Sequence, residues 1–372
     1  MEFLNEYGLF LAKTVTLCLA LLFVVIVVVA NAQRQRPEAK PKGHITVLKL
    51  NDELENMRED IRHEILDEDL LKLEEKEEKK KDKADKKARV KALKEKSKLA
   101  QNIGETDQEV ENDDEPKRVF VMSFDGDSAA SAVEELRQVI TAVLQVARTG
   151  KDSVMLRLES PGGLVHAYGL ASSQLARLRK HNIHLTVCVD RVAASGGYMM
   201  ACVANELIAA PFAYIGSIGV LVQLPNVHRL LKHNKVDFEM ITAGEYKRTL
   251  TTFGENTDAD RAKVQEEVDE MHLLFKNFIH EYRPALDVTQ VATGEVWTGS
   301  QALAKGLIDQ IDTSDEWIVA RCADADVYEI SWEQKRRMSD KLAAMLEGSM
   351  QRAFSRTLTQ WLHRADKEKF FS

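Results

Sequence analysis

The segment SVMLRLESPGG (153–163) joins a short apolar run to a turn that contains proline and two glycines. Its first seven residues alternate apolar and mixed side chains, which is typical of a strand, and the run ends at Ser160-Pro161-Gly162-Gly163. Strand-like runs recur before and after it, with helix-like segments between them. We therefore expect alternating strands and helices around a largely parallel sheet, which is an α/β fold.

Neighbouring segments extend this pattern in both directions. A first segment (44–76) begins strand-like and becomes helical. Apolar residues at helical spacing then follow several strand-like runs. The predicted strands are 118–124, 184–190, 206–210 and FEMITAG (238–244), and the predicted helices are 133–144, 164–181 and 258–283. The uncharged stretch 207–227 has the composition of a membrane span, but its prolines and glycines favour a buried sheet.

The N-terminus contains TVTLCLALLFVVIVVVANA (14–32), which has no charge and is long enough to cross a bilayer as a helix. We interpret it as a retained single-pass anchor; a cleaved secretory signal ending at Ala30-Asn31-Ala32 is the alternative. Basic residues follow the segment. By the positive-inside rule they favour a cytoplasmic location for the rest of the chain. They are Arg34, Arg36, Lys40 and Lys42.

The segment 33–117 predicts a charged spacer. Residues 73–98 are dense in lysine and glutamate, and residues 101–116 are polar and acidic. Neither stretch has enough apolar surface to fold alone, so we expect solvated helix or flexible chain. Contact between the lysines and anionic lipid is an alternative.

The composition argues against two functional classes. A net charge of −8 gives no electrostatic reason to expect nucleic-acid binding. The four cysteines lack the spacing of a metal site or a disulfide framework, so we expect free thiols, mostly buried, and no metal.

Ser195 lies in RVAASGGYMMACVAN (191–205), among alanines and glycines and before a helix-like run. A serine becomes a nucleophile only when a base removes its proton and backbone amides stabilise the oxyanion that forms. Gly196 and the earlier pair Gly162 and Gly163 are candidates for those amides. A packing turn at Ser195 and a tight strand-to-helix turn at 159–163 are the structural alternatives.

The base is less clear from residue types alone. The histidines at 166, 228, 233, 272 and 280 lie in stretches without special composition. Lys247 lies in ITAGEYKRTLTTF (241–253), near a glycine and small hydroxyl residues. Lysine accepts a proton at neutral pH only where burial lowers its pKa from about 10.4. A solvated surface lysine is the alternative interpretation.

Six motifs occur together and in order, and they resemble those of the signal peptide peptidase A family of membrane serine proteases. The resemblance spans about 118–315, and the anchor with its charged extension resembles the SohB branch of that family. The motifs are SFDGDSAASAVEELR (123–137), ESPGGLVHAYG (159–169), RVAASGGYMMACVAN (191–205), YIGSIGVL (214–221), ITAGEYKRTLTTF (241–253) and VWTGSQALAKGLID (296–309).

The resemblance implies a Clp-protease/crotonase-like domain of repeated ββα units with a Ser–Lys dyad and no cofactor. In that pattern Ser195 is the nucleophile, Lys247 is the general base and Ser217 helps to hold the lysine. Gly163 and Gly196, with Gly162 beside them, match the oxyanion donors. It also implies a homo-oligomer in the bacterial inner membrane that cleaves membrane-derived, signal-peptide or unfolded peptides.

Two expectations conflict, because the family's better-known members act on the outer face of the membrane, whereas the basic residues after the anchor favour the inner face. A catalytically silent membrane scaffold and a crotonase-type acyl-CoA enzyme are the alternative functions. The predicted domain organisation is an N-terminal flank (1–13), anchor (14–32), spacer (33–117), peptidase domain (118–315) and C-terminal segment (316–372) with an amphipathic helix at 338–362.

Overall fold

A computed structural model of the protein describes residues 13–14, 43–66 and 116–334. The chain divides into two compact units, Ile45–Trp332 and a second formed by Met1–His44 with Glu333–Ser372. Most of the predicted anchor, the charged stretch 73–98 and the predicted C-terminal helix lie outside the described residues. Among the residues that are described, no helix is long and apolar enough to span a bilayer.

Strands and helices alternate along the described chain. In order they are β1 (Gly43–Lys49), α1 (Leu50–Ile65), β2 (Arg118–Asp125), α2 (Val133–Val146), β3 (Ser153–Glu159), α3 (Val165–Lys180), β4 (His184–Val189), β5 (Val192–Ala194), α4 (Gly196–Ala201), β6 (Glu206–Ala209), β7 (Tyr214–Gly216), α5 (His228–His233), α6 (Asp258–Tyr282), α7 (Val288–Val291), β8 (Val296–Thr298), α8 (Gly299–Ala304), β9 (Gln310–Ile311), α9 (Ser314–Cys322) and β10 (Asp326–Gln334).

The larger sheet has the strand order β1-β10-β2-β3-β4-β6-β9, and neighbouring strands from β10 to β9 run parallel. Its central strands are apolar over consecutive residues, such as 119–122 of β2 and 154–156 of β3, all of them buried. Such runs are typical of a parallel sheet that is covered on both faces. Helices α2 and α3 pack on one face, while Leu50 of α1 and Trp317 of α9 pack on the other.

A smaller sheet has the order β5-β7-β8, with β5 parallel to β7 and β7 antiparallel to β8. An isolated bridge between Ser160 and Ala193 joins β5 to the chain that leaves β3. The segments that follow β3, β5 and β7 therefore meet in one place, which is where the candidate site lies.

The predicted α/β class and most of the predicted elements are confirmed, with small differences at their ends. The buried sheet predicted for 207–227 is confirmed only in its first part, which contains most of β6 and all of β7, whereas 221–226 is irregular and exposed. The strand predicted at 238–244 is wrong, because this stretch is irregular and Ile241 is 98% exposed. Its apolar residues match a strand in composition, but no neighbouring strand pairs with it in the described structure.

Candidate active site

Ser195 connects β5 to α4 and adopts an unusual backbone conformation, with φ 54° and ψ −118°. Positive φ is uncommon outside glycine and is maintained only where neighbouring contacts impose it. Here the amide nitrogen of Ser195 donates a hydrogen bond of 2.8 Å to the carbonyl oxygen of Gly216, at the end of β7. The side chain is half-buried, so solvent and a ligand can reach it.

The 160–163 turn packs directly against Ser195. Gly162 has φ +89°, and a Cβ added to it would lie 2.8 Å from the Cβ of Ser195 and 2.7 Å from the carbonyl oxygen of Ala194. No other residue type fits there without displacing the serine. The two glycine-containing motifs that the sequence singled out are thus brought into direct contact.

Backbone amides on both sides of Ser195 are without an acceptor in the described structure. The N–H of Gly162 donates to Ser160 Oγ at 3.1 Å, so it is occupied. The N–H groups of Gly163 and Gly196 have no acceptor among the described residues. Unpaired amides next to a serine are the groups that can stabilise an oxyanion.

An apolar cavity of about 330 Å³ opens beside Ser195, Gly163 and Gly196. One wall is a face of α6, where side chains at helical spacing point into the cavity. Its apolar side chains come from Val165, Met199, Val220, Met271, Leu274, Phe275 and Phe278. The cavity has the size and lining to accept an apolar side chain next to the serine.

Lys247 lies in an irregular stretch after α5, and its side chain is exposed. Its backbone N–H donates to the carbonyl oxygen of Gly244 at 3.2 Å. Within the described part of the chain, no hydrogen bond or ion pair is found for its ammonium group, and none joins it to Ser195. In the part of the single chain that the structure describes, the two predicted dyad residues are therefore not hydrogen-bonded to each other.

Ser217 follows β7 just as Ser195 follows β5, and the two strands pair in parallel with Ala194 opposite Gly216. Ser217 also has positive φ, 50°, and its amide donates to the carbonyl oxygen of Glu295 at 2.6 Å. The two serines therefore occupy equivalent positions at the end of one strand pair. No hydrogen bond links Ser217 to Lys247 among the residues described.

None of the candidate histidines is among the residues that line the cavity. His166 is exposed, and the Nδ1 of His228 lies 3.3 Å from the carbonyl oxygen of Phe253. Cys188 and Cys202 are buried free thiols, as expected, and burial raises the pKa of both. In the ranges that the structure covers, no cluster of His, Cys, Asp and Glu is arranged to hold a metal ion.

The sequence interpretation missed a buried polar pair under the site. The hydroxyl groups of Ser160 and Tyr168 hydrogen-bond to each other, and both side chains are fully buried. Ser160 belongs to the recognised turn, and the sequence gives one signal for Tyr168, its place on the apolar face of the predicted helix. Which polar atom it meets depends on how α3 leaves the turn.

Comparison with known proteins identifies the class. The model of the peptidase family S49 N-terminal region matches residues 2–175, and that of peptidase family S49 matches residues 177–327. The chain therefore belongs to peptidase family S49, in agreement with the resemblance of its six motifs.

Within that family the chain is similar to proteins named as SohB proteases. It is 51% identical over 241 residues to the probable protease SohB of Haemophilus influenzae, which covers 65% of this chain and 68% of that protein. It is 57% identical over 203 residues to the probable protease SohB of Buchnera aphidicola subsp. Schlechtendalia chinensis. That match covers 55% of this chain and 66% of the other protein. A putative protease of Methanocaldococcus jannaschii, MJ0651, is 27% identical over 190 residues. That match covers 49% of this chain and 61% of the other protein.

Proposed function

We propose that this peptidase is a membrane-anchored serine endopeptidase in which Ser195 is the nucleophile and Lys247 the general base. The observation that carries the proposal is the placement of Ser195, half-buried, between two amides without acceptors and beside an apolar cavity. The fold that supports it is the Clp-protease/crotonase-like arrangement that the family resemblance implies.

The chemistry requires no cofactor. Ser195 Oγ attacks the carbonyl carbon of the peptide bond while its proton moves to the neutral amine of Lys247. The amides of Gly163 and Gly196 stabilise the oxyanion of the tetrahedral intermediate. When the C–N bond breaks, the lysine returns the proton to the leaving amine. Water then hydrolyses the acyl-enzyme by the same path and regenerates the serine.

Lys247 needs a different environment from the one it has in the isolated chain. A lysine acts as a base once desolvation favours its neutral form. The stretch 236–253 around it exposes Val236, Phe238, Met240, Ile241 and Phe253. A monomer rarely leaves so much apolar surface open. We infer that a second copy of the chain covers this surface in a homo-oligomer and completes the surroundings of Lys247, with Ser217 helping to hold it.

The substrate class follows from the cavity and the anchor. The cavity beside Ser195 suits peptides with an apolar side chain at the cleaved position. The predicted anchor at 14–32 would hold the site close to a bilayer, where fragments of membrane proteins and signal peptides are released. Unfolded peptides that reach the site are cleaved by the same chemistry.

The test of the nucleophile uses full-length protein, a serine-directed fluorophosphonate probe and casein hydrolysis. Wild type should be labelled and should hydrolyse casein, whereas Ser195→Ala should do neither. Ser300→Ala, on α8, is the matched control and should behave as wild type. Equal labelling of Ser195→Ala would rule out Ser195 as the nucleophile.

The test of the base compares Lys247→Ala with Lys232→Ala, which removes another exposed lysine. We expect casein turnover to fall at least about 100-fold in the first variant and to stay unchanged in the second. Acyl-CoA binding without peptide turnover would point to a crotonase-type enzyme instead. Unchanged cellular function after Lys247→Ala would point to a scaffold.

The membrane side is tested separately, by protease digestion of a C-terminal tag in spheroplasts and in inside-out vesicles. Digestion in spheroplasts alone would place the site on the outer face, as in the family's better-known members. Digestion in inverted vesicles alone would place it on the cytoplasmic face, as the basic residues after the anchor predict.

A further inference from the structure

A chain of hydrogen bonds runs under the candidate oxyanion site. The N–H of Gly162 lies 3.1 Å from Ser160 Oγ, Ser160 Oγ is bonded to Tyr168 Oη, and Tyr168 Oη lies 2.7 Å from the carbonyl oxygen of Asp127. The chain thus connects the turn after β3, helix α3 and the turn after β2. One end of this hydrogen-bond chain is Gly162, the residue directly before Gly163, whose amide has no acceptor.

The donors and acceptors fix the direction of this chain. The Gly162 N–H can only donate, and the Asp127 carbonyl can only accept. Tyr168 has one hydroxyl proton, which must go to Asp127, so its oxygen is left to accept from Ser160. Ser160 therefore donates to Tyr168 and accepts from Gly162. Each hydroxyl makes one bond of each kind, and bonds in such a chain strengthen one another.

The two side chains are buried and closely packed. Tyr168 and Ser160 are both 0% exposed. The ring of Tyr168 packs edge-on against Phe124, with centroids 6.5 Å apart, and lies so close to Gly196 that an added Cβ there would be 2.4 Å from it. Burial raises the pKa of the Tyr168 phenol, so the hydroxyl keeps its proton and remains a donor.

Tyr168 therefore contacts both backbone segments that flank the Ser195 site, the 160–163 turn through Ser160 and the start of α4 through Gly196. Through Ser160, its hydroxyl group holds the N–H of Gly162 and so the Pro161–Gly162 peptide unit, which directly precedes the peptide that carries the Gly163 amide. Its ring supports Gly196, whose amide is the second free donor.

We propose that Tyr168 and Ser160 are positioning residues that set the amides of Gly163 and Gly196 relative to Ser195. Neither residue reacts with the substrate; they act through the two glycine peptides. This inference rests on the proposed serine peptidase function, because it concerns the oxyanion site of that reaction.

The test is Tyr168→Phe, which keeps the buried ring and removes the hydroxyl. Loss of a complete oxyanion donor lowers kcat about 100- to 1000-fold, and a misaligned donor should cost less, about 10- to 100-fold. We expect that loss in kcat with KM within about twofold of wild type, since ground-state binding does not use the oxyanion amides. Affinity for a peptide boronate, whose adduct is tetrahedral, should fall in parallel.

Ser160→Ala provides a second variant that breaks the same chain at one atom. It should give the same split between kcat and KM. The double variant should be no worse than about twofold beyond either single one, because both remove one connected unit. Should Tyr168→Phe fail to fold, Ser160→Ala carries the test by itself.

Tyr198→Phe is the matched control. Tyr198 is also fully buried, and its hydroxyl donates to the carbonyl oxygen of Leu307 at 2.8 Å, away from the 160–163 turn. It should lose stability as Tyr168→Phe does but keep its kcat. Unchanged kcat in Tyr168→Phe, or an equal loss in Tyr198→Phe, would overturn the inference. Absence of Ser195-dependent turnover in wild type would instead reject the proposed function.

Discussion

The amide nitrogen of Ser195 lies 2.8 Å from the carbonyl oxygen of Gly216, and this hydrogen bond closes the pairing of β5 with β7. On the other side of β5, the amide of Ala194 donates to the carbonyl oxygen of Ser160 at 3.0 Å. The short strand before the serine is thus held between the turn after β3 and strand β7. Ser195 keeps its positive φ because both neighbours fix the strand that carries it.

The contact between Gly162 and Ser195 predicts the effect of Gly162→Ala. The new Cβ would meet the Ala194 carbonyl and the Ser195 side chain at 2.7 and 2.8 Å, in a backbone conformation with φ +89°. We expect the free energy of unfolding to fall by about 1–3 kcal/mol. Fluorophosphonate labelling of Ser195 should slow by about 100-fold, because both the serine and the amides beside it must shift.

Gly150→Ala is the control that separates the effect of backbone strain at positive φ from the effect of displacing Ser195. Gly150 also has positive φ, +73°, but a Cβ added to it meets nothing within 4 Å. It should lose some stability and keep the wild-type rate of labelling. Equal labelling rates for Gly162→Ala and wild type would mean that the turn does not position the serine.

The parallel sheet could be predicted from the sequence because each of its strands is recognisable from its own residues. Runs such as 119–122 and 154–156 are apolar over consecutive positions, and a turn with glycine or proline follows within a few residues. The family motifs imply that the 159–163 turn and Ser195 share one site. The residues alone favour a packing turn, since that contact depends on how the two sheets meet.

Two other features could not be predicted, for different physical reasons. The stretch 238–244 has the composition of a strand, but a strand forms only where a partner edge is available, and Ile241 has none. The bond between Ser160 and Tyr168 depends on the angle at which α3 leaves its turn and on the position of the Asp127 carbonyl. Local pattern places Tyr168 in the core and says nothing of its hydroxyl partner.

We expect the stability of the fold to depend strongly on Asp152, a residue outside the candidate active site. Its side chain is fully buried and accepts hydrogen bonds from the guanidinium groups of Arg118 and Arg148, at 2.6 and 2.7 Å. It also accepts from the backbone N–H of both arginines. Asp152→Asn should lower the free energy of unfolding by about 3 kcal/mol in urea denaturation, because it removes the buried negative charge that faces two guanidinium groups.

Asp315→Asn is the control for that measurement. Asp315 lies 3.5 Å from Arg157, but its side chain is 88% exposed, so the ion pair contributes little. We expect a change below about 1 kcal/mol. Similar losses in the two variants would contradict the distinction between the buried and the exposed carboxylate.

The same carboxylate predicts a dependence of stability on acid pH. Burial alone would raise the pKa of Asp152, but hydrogen bonds from Arg148 and Arg118 outweigh it and hold the pKa at about 2, below the usual 3.8. A carboxylate with a lowered pKa stabilises the fold above its usual pKa, and this stabilisation is lost as pH falls through the folded value. The stability gap between wild type and Asp152→Asn should narrow by up to about 2 kcal/mol from pH 4 to pH 2. A constant gap across this range in urea titrations would show that Asp152 is not the group responsible.

A substitution at Met271 tests whether the cavity beside Ser195 selects the substrate. It lines the cavity from α6, and a tryptophan there would take up much of the room of about 330 Å³. For Met271→Trp we expect kcat/KM to fall about tenfold or more on peptides with leucine or phenylalanine at the cleaved position, since their side chains no longer fit. Peptides with alanine there should be cleaved within about threefold of the wild-type rate. Leu273→Trp adds the same bulk on α6 at a side chain that is 52% exposed, and it should leave both substrates unchanged. If Met271→Trp slows both classes of peptide equally, the cavity does not hold the side chain at the cleaved position.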